Sequence, residues 1–306
     1  MAVLSPQQPT SRQTLTAALK EERGKIAGDG PILEFMDVVL RFEGVTAVDR
    51  ISFEVGPSEL FAIIGPNGAG KTTIFNCISG VYRPDSGTIS FAGKRIDGRR
   101  PHEIAGMGIA RTFQNIELFQ NMTVLDNLML GRHQHVGYGS LAAMLYAGKA
   151  RRREVQHREV VERVIDFLEI EEVRRSPVTL LPYGIQKRVE LGRALAMAPR
   201  LLLLDEPVAG MNLEEREDMA RFILDIKEEL DIAIILVDHD MGLVMDIAQR
   251  VLAVDFGEAI AVGAPEKIQK NPDVIRAYLG EEHDAAKAAS DATTPQPSPS
   301  STGGSR

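Results

Sequence analysis

The stretch Gly65-Pro66-Asn67-Gly68-Ala69-Gly70-Lys71-Thr72-Thr73 fits the pattern G-x-x-x-x-G-K-[ST], and its surroundings decide the fold. The five residues before it, Leu60-Phe61-Ala62-Ile63-Ile64, read as a short buried strand, and Lys71 to Ser79 read as the first turns of a helix. A strand that feeds a glycine-rich turn into a helix aims several backbone N–H groups and the positive end of the helix dipole at one spot. That spot suits a polyanion. The glycines let the backbone approach phosphate where side chains would block it. Lys71 is placed to reach the β- and γ-phosphates of a nucleotide, and the Thr72 hydroxyl to ligate Mg²⁺.

Two more apolar runs end in polar residues suited to the same chemistry. Leu201-Leu202-Leu203-Leu204-Asp205-Glu206 is a buried strand that delivers two carboxylates to the edge of a sheet, where ligands bind in doubly wound folds. Asp205 is the candidate to hold Mg²⁺ through water, and Glu206 the candidate to accept a proton from an attacking water. Leu236-Val237-Asp238-His239-Asp240 ends another strand and puts His239 in reach of a terminal phosphate. Gln114, in Arg111-Thr112-Phe113-Gln114-Asn115, offers a neutral amide that senses Mg²⁺ or orients water.

Composition sets the outer bounds. The chain has 306 residues, 44% hydrophobic and 25% charged, which suits a soluble α/β protein. A net charge of −8 argues against the basic surface of a nucleic-acid binder, so no nucleic-acid partner is expected. The single cysteine, Cys77, cannot form an internal disulfide and reads as core packing. No run approaches the roughly 18 apolar residues of a membrane span. The start, Met1 to Arg12, has no apolar signal core, so a cytoplasmic chain is expected unless a partner holds it at a membrane.

Along the chain, residues 1–30 read as a disordered extension, although Leu15 to Ile26 suit a short, marginal helix. Residues 284–306 are rich in Ser, Thr, Pro and Gly and read as a disordered tail. Between them, residues 31–283 form the folded unit. Its first part is β-rich, residues from about 101 to 195 are mainly helical, and parallel-strand character returns from Leu201. Val161, Val164, Ile165 and Leu168 fall at i, i+3, i+4 and i+7, one apolar face of a helix.

The order phosphate loop, Gln114, helical insert, Asp205-Glu206 and His239 resembles the ATP-binding cassette of ABC transporters. The resemblance implies an α/β P-loop NTPase fold: an ABC-type nucleotide-binding domain with a mixed sheet core, a β-rich subdomain and a helical insertion. The family's signature, normally Leu-Ser-Gly-Gly-Gln, corresponds to Leu181-Pro182-Tyr183-Gly184-Ile185 here. Pro182 lacks both the hydroxyl and the N–H of the usual Ser, which leaves Gly184 and the helix start as backbone phosphate ligands. Val208-Ala209-Gly210-Met211-Asn212, the insert from His133 to Arg153 and the stretch Asn271 to Gly280 are similar to the branch that powers branched-chain amino acid permeases. Cassettes for urea, other amides and lipopolysaccharide export lie close to that branch.

Membership implies an ATPase with ATP and Mg²⁺ as cofactors, Thr72, Gln114 and Asp205 around the metal, and Glu206, His239 and Gln114 as catalytic residues. Residues 65–73 and Gly184 would bind phosphate, and Phe42 would stack on adenine, with core packing as its alternative role. The implied partners are two transmembrane permease subunits, a second cassette, identical or different, and indirectly a periplasmic or extracellular solute-binding protein. The implied location is the cytoplasmic face of the inner (plasma) membrane, as a peripheral subunit. A soluble ABC-type ATPase acting on nucleic acid, ribosomes or metal-cluster assembly is the rival from another class. One cassette, no heptad run and an acidic balance argue against it.

Overall fold

A computed structural model describes residues 11–24, 30–135 and 149–278. Its central feature follows from period-two alternation in the apolar strands. Strands β3 (Leu60–Ile64), β7 (Leu201–Asp205) and β8 (Ala233–Val237) are buried at every position. Leu60, Ala62, Ile64, Leu202, Leu204, Ile234 and Leu236 face one hydrophobic cluster. The residues between them, Phe61, Ile63, Leu201, Leu203, Ile235 and Val237, face a second. A strand covered on both faces cannot alternate apolar with polar, which is why these segments read as unbroken greasy runs.

The six-stranded sheet runs β10-β9-β3-β8-β7-β6, with β9 spanning Arg250–Asp255, β10 Glu258–Gly263 and β6 Ile109–Arg111. All pairs are parallel except β10 on β9. The carboxyl ends of β3, β6, β7 and β8 therefore meet at one edge, and the phosphate loop, Gln114, Asp205-Glu206 and His239 all follow those ends.

The second sheet, β2-β1-β4-β5, is antiparallel and covers one face of the first. It comprises β1 (Leu33–Phe42), β2 (Val45–Val55), β4 (Ser86–Phe91) and β5 (Lys94–Arg95). The β1–β2 hairpin turns on Glu43-Gly44, both at positive φ, which matches the twist of a two-residue hairpin loop. Phe35 stacks on Phe53 with ring centroids 4.9 Å apart, and Phe53 on Phe61 at 5.2 Å, so the aromatic stack joins the two sheets. Helices α2 (Lys71–Ile78) and α3 (Pro101–Gly106) pack into this cluster through Ile74, Phe75, Ile78 and Ile104.

The other face carries α4 (Val124–Gly131), α5 (Lys149–Phe167), α6 (Tyr183–Ala196), α7 (Leu213–Glu228) and α8 (Met241–Ile247). The stripe foreseen at Val161, Val164, Ile165 and Leu168 is fully buried here. A short helix, α9 (Pro265–Ile268), follows β10, and residues 272–278 are again helical.

Two expectations need correction. Residues 11–23 are not a disordered extension: they form helix α1 (Ser11–Arg23), with Leu15 and Leu19 completely buried against the insert and the core. Arg12 pairs with Asp225 at 2.8 Å and Glu229 at 2.9 Å on α7, while Glu22 pairs with the fully buried Arg132 at 2.6 Å. Tertiary contacts order a helix whose own sequence is too short and polar to be stable alone. The helical insertion also does not begin at 101, because α3 packs with the β-rich face and residues 109–111 add the edge strand β6 to the central sheet. Three residues are too few to show a period. The insertion starts after Arg111. Residues 1–10 and the 284–306 tail lie outside the described residues, as does most of the His133–Arg153 stretch.

Candidate nucleotide site

The loop between β3 and α2 wraps closely on its neighbours. A Cβ at Gly65 would lie 2.1 Å from the Val254 carbonyl, and one at Gly70 would lie 2.4 Å from the Ala47 carbonyl. Both positions also have positive φ, 154° and 105°, so glycine is required twice over. Gly70 caps α2 without a side-chain acceptor, which leaves the first N–H groups of the helix pointing into the loop. Lys71, buried, folds its Nζ back to donate to the carbonyls of Gly65 at 2.6 Å and Pro66 at 2.8 Å. The loop thus encloses a positive charge. Asn67, Gly68 and Thr72 are exposed on it, Ala69 is buried, and Pro66 and Thr73 are half-buried.

Across the sheet edge, three foreseen residues come together. Glu206 accepts a hydrogen bond from Gln114 Nε2 at 2.9 Å, and its other oxygen lies 2.6 Å from His239 Nε2. Glu206 is 8% exposed and sits at φ 49°, a strained value that its own N–H helps to hold by donating to the Val237 carbonyl at 2.7 Å. Strand pairing of Asp205 with Val237 fixes the relative height of the β7 and β8 ends. His239 is half exposed and reaches Glu206 from the solvent side.

Asp205 is paired by a residue not foreseen as part of the site. Arg111, at the end of β6, donates to Asp205 Oδ2 at 2.9 Å, to Asn76 Oδ1 at 2.7 Å and to Ser79 Oγ at 3.2 Å. Its guanidinium also lies over the rings of Phe75 and Phe113. Arg111 thereby ties the β7 end to α2, and Asn76 lies one turn along α2 from Thr72. Thr72 and Asp205 provide a hydroxyl and a carboxylate, hard oxygen donors that fit Mg²⁺, which takes one or two protein ligands and leaves the rest to substrate phosphates and water.

Asp238 is a second residue missed from sequence. It is buried, accepts from the Asp240 N–H at 2.9 Å, and has its Oδ2 without a partner among the described residues. Burial raises its pKa, and backbone N–H groups of Asp240, Val208 and His239 oppose the rise. Only a carboxylate preceding His239 signalled it.

Phe42 and Gly184 do not join this cluster. Phe42 is 40% exposed and touches Tyr82 edge-on at 5.0 Å, so it is not core. It pairs with Val45, two residues from the Ala47 carbonyl that abuts Gly70. Gly184, at the start of α6, packs on Glu215, whose Oε1 would lie 2.4 Å from any Cβ added there. Tyr183 beside it lies against Gly210.

Comparisons with known proteins bear on the fold and the family. Residues 48–209 match the family model for ABC transporters, and residues 260–284 match that for branched-chain amino acid ATP-binding cassette transporters. The chain is 40% identical over 251 residues to the high-affinity branched-chain amino acid transport ATP-binding protein BraF of Pseudomonas aeruginosa, covering 82% of this chain and 98% of that one. Identity is also 40%, over 255 residues with the same coverage, to LivG of Escherichia coli, which carries the same description. Among solved structures, the ADP conformation of an ATP-binding cassette of an ABC transporter superposes with a TM-score of 0.72 at 28% identity, covering 82% of this chain and all of that one.

Proposed function

From the premise that the chain belongs to the ATP-binding cassettes of the ABC transporter family, we propose that it hydrolyses ATP to power import of branched-chain amino acids. The observation that carries the ATPase part is Glu206 held between Gln114 and His239 at the mouth of β7. The phosphate loop and Lys71 bind the polyphosphate, and the Phe42 ring stacks on adenine. Thr72, Asp205 and Gln114 would hold Mg²⁺, which would supply charge neutralisation to the polyphosphate. Glu206 takes the proton from water, Gln114 orients that water and His239 contacts the γ-phosphate. Catalysis is mostly positioning and charge neutralisation.

Two cassettes close head-to-tail, each ATP lying between one phosphate loop and the partner's α6 start, where Gly184 offers backbone N–H groups. Hydrolysis removes the contacts that favour closure. Two membrane permease subunits receive the motion, and a solute-binding protein delivers solute outside. No helix among the described residues is long and apolar enough to cross a membrane, which suits a peripheral subunit at the cytoplasmic face. The branched-chain specificity rests on the match at residues 260–284 and the descriptions of the relatives.

The test is to tag the full chain, extract membranes in mild detergent and identify co-purifying proteins by mass spectrometry. Two polytopic permease subunits and a second cassette are expected, with leucine uptake by the reconstituted complex. Recovery of soluble partners alone would overturn the transporter reading and leave the ATPase chemistry standing.

A further inference from the structure

Helix α6 carries two charged residues that are as buried as its leucines. Lys187 and Glu190 are 3% and 2% exposed, one turn apart on the face toward the segment that joins β6 to α4. Their charged atoms are 3.6 Å apart, longer than a good hydrogen bond. Each makes its shorter contacts elsewhere. Lys187 Nζ donates to the Gln114 carbonyl at 2.9 Å and to the Phe113 carbonyl at 3.4 Å. Glu190 Oε1 accepts from the Phe113 N–H at 3.2 Å, and Glu190 also accepts from the backbone of Glu117. Arg193, one further turn along, donates to the Glu117 carbonyl. Five contacts from three side chains thus end on the backbone of residues 113–117, which has no helix or strand of its own.

A buried ion pair is a poor device for stability, because desolvating two charges costs about as much as their attraction returns, and well-packed apolar residues usually do as well. Burial indeed pushes the Glu190 carboxyl up, against the pull of Lys187. The pair is better explained by what it holds. Residue 114 has to present its amide to Glu206, while its carbonyl is held by Lys187 on α6.

We propose that Lys187 and Glu190 are positioning residues for hydrolysis: they fix the Phe113–Gln114 backbone so that the Gln114 amide meets Glu206. The proposal rests on the hydrolytic role given to Gln114 and Glu206 above. It also makes α6, the helix that begins at the altered signature, the element that transmits its position to the catalytic carboxylate.

The test uses the full chain in its membrane complex. Lys187→Met alone strands a buried carboxylate and risks misfolding, so the decisive variant is the pair Lys187→Met with Glu190→Leu, which removes both buried charges together and is assayed at a temperature where its melting curve shows it folded. Its kcat for ATP should fall about ten- to a hundredfold, the scale on which small misplacements act, while the KM for ATP changes little. In a Gln114→Ala background the same pair should cause no further loss, since both changes remove one function. Amide hydrogen exchange at Phe113 and Glu117 should quicken while Leu191 to Ala196 stay protected. A stably folded double variant with wild-type kcat, or a full additional loss in the Gln114→Ala background, overturns the proposal. Unchanged exchange at Phe113 and Glu117 overturns it too, even if the complex never turns over ATP. Absence of turnover in the wild-type complex would instead count against the ATPase reading itself.

Discussion

The short segment from Arg111 to Glu117 is gripped by two buried ion pairs, and the two grips differ in kind. At its start, Arg111 makes a direct contact with Asp205 inside the nucleotide site, 2.9 Å long, and reaches across to α2. From Phe113 onward, Lys187 and Glu190 barely touch each other and bind the main chain. The first pair neutralises a carboxylate whose proposed work is to face a cation, so it stands in the path of substrate chemistry. The second pair lies on the helical side and touches only scaffold. If Mg²⁺ takes Asp205 as proposed above, the first pair must exchange with it, whereas the second, which ends on backbone groups, need not. Gln114, midway, inherits a fixed origin from one and a responsive neighbour from the other.

The largest effect should come from the carboxylate that both grips serve. Glu206→Gln should keep ATP binding and lower turnover about 10²–10⁴-fold, the usual contribution of a positioned base, in a single-turnover assay. Turnover near the wild-type rate would place the base elsewhere and remove the reason for holding Gln114 so tightly. Next, Arg111→Met strands Asp205 as an uncompensated buried charge and should cost about 3–5 kcal/mol in urea unfolding. If that pair is exchangeable, magnesium nucleotide should restore more stability to the variant than it adds to wild type. Equal stabilisation of both would make the pair structural after all.

A smaller loss tests whether the helical side is held by packing. Leu15→Ala empties a fully buried site between α1 and the insert and should cost about 2–3 kcal/mol, within the range for such truncations. A cost near zero in the same unfolding assay would mean that α1 is not part of the folded unit.

The smallest effect concerns Asp238, a buried carboxylate whose Oδ2 has no partner among the described residues. Its folded pKa is raised above the ordinary carboxylate value of about 3.9. The folded state therefore binds more protons than the unfolded one in the window above that value. This group's contribution is most favourable below about pH 4, declines as pH rises through the window and is level above the folded pKa. Asp238→Asn removes the decline, so its stability relative to wild type should improve from about pH 4 toward neutrality. A pH-independent difference would show that burial does not perturb this carboxyl.

The nucleotide side of the molecule was legible because its information is local. Glycines, lysine and threonine stand within nine residues, and Asp205, Glu206 and His239 each end an apolar run that can only be a buried strand. What the sequence concealed depends on distant partners. Lys187 and Glu190 lie in a helix rich in charge, where nothing local marks them as buried, because the segment that buries them is over 70 residues away. Arg111 was quoted only as a neighbour of Gln114, because a three-residue strand has no visible period and its carboxylate partner lies 94 residues on. Leu15 and Leu19 look incidental among polar neighbours until α5 and the core cover them.

Helix α1 has a consequence for how the chain is made. Arg12 and its partner Asp225 are separated by 213 residues. At roughly 5–20 residues per second on the ribosome, Arg12 waits on the order of 10–40 seconds before that partner is synthesised. Helix α5, the other part of its cover, is complete by residue 167, so this 13-residue helix can meet the insert before its partners on α7 exist. The first described element of the chain is thus covered in two stages, and its last ion pairs tie the insert to the core.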